Sequence, residues 1–137
     1  MNSAATSERE RAIESVTRLS IAEGPLLRPV LCRVISMVLT RADWPLDRLE
    51  EALLVCDALC TTGSAENEQR LTFSFEADEH KAELSVRELA ASEAQRLVRE
   101  ASLPLVGNVL ERVAERVTVL PEENSPLARL EILLSAR

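Results

Sequence analysis

At 137 residues the chain has the size of one domain built on one core. Its apolar fraction of 46% is enough to fill that core, which argues against wholesale disorder, and an aromatic content of 2% makes the core one of Leu, Val, Ile and Ala. A net charge of −7 repels phosphate backbones, and one Trp, two Phe and no Tyr leave little for bases to stack on, so direct nucleic-acid binding is disfavoured.

The first residues are small and polar, with no apolar signal-peptide core. Residues 1–12 are expected to be a disordered tail and 13–137 a single domain. Residues 14–21 carry Ser, Val, Thr and Ile in a short run that predicts an edge strand, broken by Glu23-Gly24-Pro25. Leu26, Leu27, Val30, Leu31, Val34, Ile35, Val38 and Leu39 then recur at helical spacing to about Thr40. Pro29 falls in the first turn, where its missing N–H costs least.

A second helix is expected from Trp44-Pro45 to Thr61, with Leu46, Leu49, Ala52, Leu53, Cys56 and Cys60 on its apolar face. Ser64 to Glu68 reads as a polar loop. The period then changes to two. Leu71, Phe73 and Phe75 alternate with polar residues, as do Ala82, Leu84 and Val86, and Asp78-Glu79-His80 between them predicts a β-hairpin.

Helical spacing returns over 92–101, with Ser92-Glu93 as the expected start. A last helix is expected over 105–115, a short strand around Val117 and Val119, a turn over 121–126, and a final strand through Leu130, Ile132 and Leu134. Few strands, mostly hairpin-joined and each with one apolar face, give an α+β two-layer sandwich: a mixed, mostly antiparallel sheet with helices on one face.

No apolar run reaches the ~20 residues of a membrane span. The three cysteines, Cys32, Cys56 and Cys60, are an odd number on apolar helical faces, which suits free thiols in a reducing cytoplasm. Cys56 and Cys60 lie one turn apart and offer two thiolates to a metal, but the single His, His80, sits in a turn and no full ligand set appears; packing is the simpler reading. One His also leaves no Ser/His/Asp set. Trp44 reads as a surface staple at the helix start or as an anchor for a partner.

The element order, with the acid Asp57 one turn before Thr61 on the second helix, resembles the histidine-kinase-like ATPase family. The anti-sigma serine kinases of the partner-switching type are the subgroup it is most similar to, over roughly 13–134. The resemblance implies the Bergerat-type α/β sandwich. It also implies a nucleotide site: an acid at Asp57, a magnesium-holding Asn where Thr61 stands, an adenine-binding Asp where Glu88 stands, and Gly-rich loops near Ala90–Ser92 and Gly107.

Three of these elements depart from the family. Thr61 replaces Asn; Glu88 is longer than Asp by a methylene and is followed by Ala90 and Ser92 in place of glycines, whose missing Cβ would let a nucleotide approach; and the later Gly-rich stretch, 103–110, keeps a single glycine, Gly107. Magnesium held by Asp57 and Thr61 alone would be weakly bound. The segment around Arg96, Arg99 and Glu100, a mobile lid in active relatives, carries apolar helical spacing and is expected to fold onto an empty pocket.

These residues support a catalytically degenerate anti-sigma-like regulator that binds a protein partner, a sigma factor or an antagonist, with no cofactor. The alternative is a divergent ATP- and Mg-binding protein serine kinase using Asp57, Thr61, Glu88 and Gly107. A homodimer paired through the first strand and helix is a third expectation, compatible with either.

Overall fold

The computed structural model describes residues 16–61, 70–103, 107–122 and 125–137. The expected tail over 1–12 and the polar loop over 64–68 lie outside them. The elements in chain order are β1 (Thr17–Ala22), α1 (Leu27–Arg41), α2 (Leu46–Thr61), β2 (Arg70–Ala77), β3 (Lys81–Ala90), α3 (Ala91–Glu100), β4 (Ser102–Leu103), β5 (Gly107–Asn108), α4 (Val109–Val113), β6 (Arg116–Pro121) and β7 (Leu127–Ser135).

Five strands form one sheet in the order β1-β2-β3-β7-β6, and every neighbouring pair is antiparallel. The register follows the period of two. Phe73 faces Leu19 on one side and Val86 on the other. Val86 faces Leu130, which faces Val119, so one apolar row crosses all five strands. A second row runs Phe75, Leu84, Ile132, Val117. Because residues two apart share a face, these rows make one apolar surface, and Ser74, Glu76, Glu83, Ser85, Glu131 and Thr118 occupy the other.

The helices cover the apolar surface. Leu31, Ile35 and Leu39 of α1 are buried, as are Val55, Cys56 and Ala58 of α2, and they join Phe73, Phe75, Leu84, Leu130 and Ile132 in one cluster. Fully burying each of the larger side chains contributes about 1.5–3 kcal/mol. Pro29 is the third residue of α1, inside the first turn as expected.

Trp44 is not on the surface. It is 7% exposed, and its Nε1–H donates to the Asp78 carbonyl at 2.7 Å. The Asp78 carboxylate in turn accepts from the His80 and Lys81 amides at 2.7 and 2.8 Å, closing the β2–β3 turn. These backbone hydrogen bonds hold the Asp78 carboxyl below its usual range. Trp44 therefore ties the α1–α2 connection to the hairpin, a long-range contact that local sequence does not show.

The helix expected over 105–115 is shorter, for a physical reason. Gly107 has φ +81°, outside the helical region. Asn108 then caps α4, its side-chain oxygen accepting from the Glu111 amide at 3.1 Å while Nδ2 donates to the Val98 carbonyl at 2.9 Å. The helix can start only at Val109, and it gives way to β6 when the Glu115 amide donates to the Leu133 carbonyl at 2.8 Å. Helix α3 starts at Ala91 on an Ala90 N-cap that makes no side-chain cap, so Ser92 lies inside the first turn instead of before it.

The β3–β7 ladder carries one bulge, between Val86 and Leu89, and Glu88 within it has φ +60°. A non-glycine residue there costs about 1–2 kcal/mol, part of which a glycine returns as lost chain entropy. Glu88→Gly is expected to raise stability by up to about 1 kcal/mol, read as a higher urea midpoint at unchanged slope. A lower midpoint would mean that the Glu88 carboxylate makes a stabilising interaction at the bulge.

Candidate functional site

The acid of the second helix sits at the α1–α2 seam. Arg28 Nε approaches Asp57 Oδ1 at 2.5 Å. That oxygen is buried but has no aligned hydrogen-bond donor, so the contact is a charge pair and not a directed hydrogen bond. Arg28 is 63% exposed along its side chain and Asp57 22%, so the pair contributes at most about 1 kcal/mol. Its consequence is geometric: the Asp57 carboxylate is directed at a cation of its own chain.

Three thiols share that seam. Cys56 is fully buried, and Cys32 and Cys60 are half-buried. Burial pushes the Cys60 thiol up to about 12, with Cys32 and Asp57 adding to the rise and Arg28 opposing it. Burial likewise pushes Cys56 well up, and raises Cys32 with help from Asp57. All three stay protonated near neutrality, the ordinary state of thiols packed in an apolar seam. Among the described residues no group of three or more His, Cys, Asp or Glu is placed to hold a metal ion.

The other sequence candidates stand elsewhere in the fold. Thr61 is the last residue of α2, and its side chain lies outside the described residues. Glu88 is exposed on the β3 bulge. Gly107 opens the two-residue strand β5. A Cβ built on Gly107 would meet only the Arg112 guanidinium, at 3.9 Å, so its glycine is demanded by backbone conformation rather than by close packing.

The segment over α3 is folded down, as its apolar spacing predicts. Ala94 and Leu97 are buried, and Arg96 pairs with Glu93 at 2.6 Å and with Glu100 at 3.7 Å. The Glu23 carboxyl, at the end of β1, is pushed up by burial and by Glu93, with Arg96 opposing. Two ion pairs here carry no signal in the sequence: Arg28–Asp57, and Arg87–Glu122 at 3.4 Å. Both join residues well separated in the chain, 28 with 57 and 87 with 122.

The thiols give a pH prediction. Their folded values lie above the ordinary 9.0, so as pH rises past 9 the unfolded chain ionises first and folding loses stability. The urea midpoint is expected to fall between about pH 8.5 and 10.5, with a shallower fall in Cys60→Ala. A midpoint independent of pH over that range would contradict the burial assigned to these thiols.

No family model matches this chain, and no curated protein matches it by sequence. A solved structure does match in fold: a chain in the crystal structure of the SiaB–SiaC complex from Pseudomonas aeruginosa, with a TM-score of 0.52 and 12% identity, over 96% of this chain and 96% of that one. At that identity the likeness speaks for the α+β fold along nearly the whole chain. No helix among the described residues is long and apolar enough to cross a membrane.

Proposed function

We propose that this chain is a regulatory protein that acts by binding another protein, without turning over ATP. The observation that carries this reading is the Arg28–Asp57 pair. The acid that would orient a nucleophile or help to hold magnesium in the resembled ATPase family is directed at a guanidinium from the neighbouring helix. One oxygen of that carboxylate already faces a positive charge of its own chain, which disfavours a metal cation beside it.

Two further observations support it. The resembled family needs glycines after the second hairpin strand; here Ala90 caps α3 in extended conformation and Ser92 is helical. The fold neighbour was solved as a complex of two proteins. Within this reading the partner is a sigma factor or an antagonist of an anti-sigma factor, by the family resemblance. An acidic chain of net charge −7 speeds encounter with a basic patch on such a partner.

The test is recovery of the partner by cross-linking in the chain's own host, followed by calorimetry on the purified pair. A stoichiometric complex is expected, with a Kd that changes less than about twofold with Mg-ATP or with Asp57→Ala. Phosphoryl transfer to the partner, abolished by Asp57→Ala, would overturn this reading in favour of a serine kinase. Absence of any stoichiometric complex would overturn it as well.

A further inference from the structure

Strand β1 is the outer member of the order β1-β2-β3-β7-β6. Its residues Thr17–Ala22 pair with β2 in an unbroken register, so every second residue turns its amide and carbonyl away from the sheet. None of those backbone groups bonds to another described residue. An edge left in this way, with no proline and no bulge, is a template for a further strand. The opposite edge, β6, ends in Pro121, which has no N–H to offer.

Helix α1 lies beside the β1 edge. It packs on β1 and β2, while α2 packs on its other side and leads on to α4. The Arg28–Asp57 pair marks the side of α1 that faces α2. Leu26, which shares the helical backbone, Val30, Arg33, Met37 and Arg41 recur at i, i+4, i+7, i+11 and i+15. They form one stripe, and Val30 stands about 200° round the helix from Arg28, so the stripe overlooks the β1 edge. Leu26 is 68% exposed and Met37 44%, large apolar side chains left to water. The strand and the stripe each run roughly 20 Å.

The charge of this flank is opposite to that of the whole chain. Residues 17–41 hold four arginines, Arg18, Arg28, Arg33 and Arg41, and one acid, Glu23, hence +3 in a chain of −7. Arg28 is paired with Asp57. Arg18, Arg33 and Arg41 are exposed and make no ion pair with a described residue.

A second copy of this chain fits the flank poorly, because a twofold axis there would set the three arginines against their own images. A phosphate backbone fits poorly as well, since it has nothing apolar for Leu26 and Met37. An extended acidic segment with apolar residues at alternate positions meets all three features: its backbone completes the strand edge, its apolar side chains cover the stripe, and its carboxylates face the arginines. We propose that the β1 edge and the α1 stripe dock such a segment of the protein partner, which joins the sheet as a sixth strand. This rests on the protein-binding reading above and gives it a surface. The chain's excess of acid lies outside 17–41, so this segment and the basic patch that speeds encounter are different parts of the partner.

The test uses the full chain and acetyl-Glu-Val-Asp-Val-Glu-Leu-amide as probe, followed by backbone amide NMR. In the free chain, alternate amides of Thr17–Ala22 are expected to exchange with solvent while their neighbours are protected. Saturable shifts are expected over Thr17–Ala22 and at Leu26, Val30 and Met37, absent with a peptide of the same charge interrupted by two prolines. Arg33→Glu should raise the probe's Kd by about fivefold or more and Met37→Ser by about twofold, while Arg112→Glu, an exposed arginine on α4, should leave it unchanged. Arg41→Glu serves as a second variant, and circular dichroism confirms that each is folded. Protection of every β1 amide in the free chain would overturn the proposal, whether light scattering then reports a second copy or a monomer covered by its own residues. Shifts scattered over the surface, no saturable shift at millimolar probe, or equal weakening by Arg33→Glu and Arg112→Glu would also count against it, the last because net charge alone would explain binding. With the cross-linked partner in hand, unchanged partner affinity in Arg33→Glu and Met37→Ser would sink this surface and leave the protein-binding reading standing. Failure to recover any stoichiometric partner would sink that reading, and this surface with it.

Discussion

Strand alternation is the constraint on which this structure rests. In β2, in β7 and in β3 up to its bulge every second residue is apolar, and the antiparallel register aligns those residues into rows across the sheet. Strand β3 is the hinge of that arrangement, since it pairs with both β2 and β7. A slip of one residue along it would send Leu84 and Val86 to water and Glu83 and Ser85 into the core. Only one face of the sheet is apolar, so both long helices must lie on that side, and the other face is left polar and uncovered by them. The helical seam with its thiols is a consequence of the same division.

Elements with strong periodicity are legible in the amino-acid sequence alone. The α1 spacing, the hairpin and the final strand stand where their patterns predict, because those signals are local and repeat over several turns or pairs. The α+β sandwich follows from them, as does the lid-like segment that folds onto the core. What local pattern does not carry is set by single residues or by distant ones. A glycine at positive φ and an asparagine cap shorten the helix after residue 105, although the apolar spacing over Val106, Val109, Leu110 and Val113 continues through them. Trp44 reads as a surface residue because its acceptor lies on a hairpin turn far along the chain.

The candidate nucleotide positions show the same split. That Asp57 lies on the second helix is legible; that Arg28 from the first helix meets it is not, because nothing local fixes how two helices rotate against each other. Glu88 reads as a strand-end carboxylate, and its left-handed backbone in a bulge is a property of the β3–β7 register. The burial of Ser85 is equally invisible, since the alternation assigns it to the solvent side.

Binding without nucleotide is the central claim, and thermal unfolding with millimolar Mg-ATP and Mg-ADP tests it most directly. A ligand at 100 times its Kd would add about 2.7 kcal/mol to the native state and raise the midpoint by several degrees in a domain of this size. The account predicts no change in midpoint. A clear rise would contradict it, and would return Asp57 and Glu88 to the roles that the family resemblance implies.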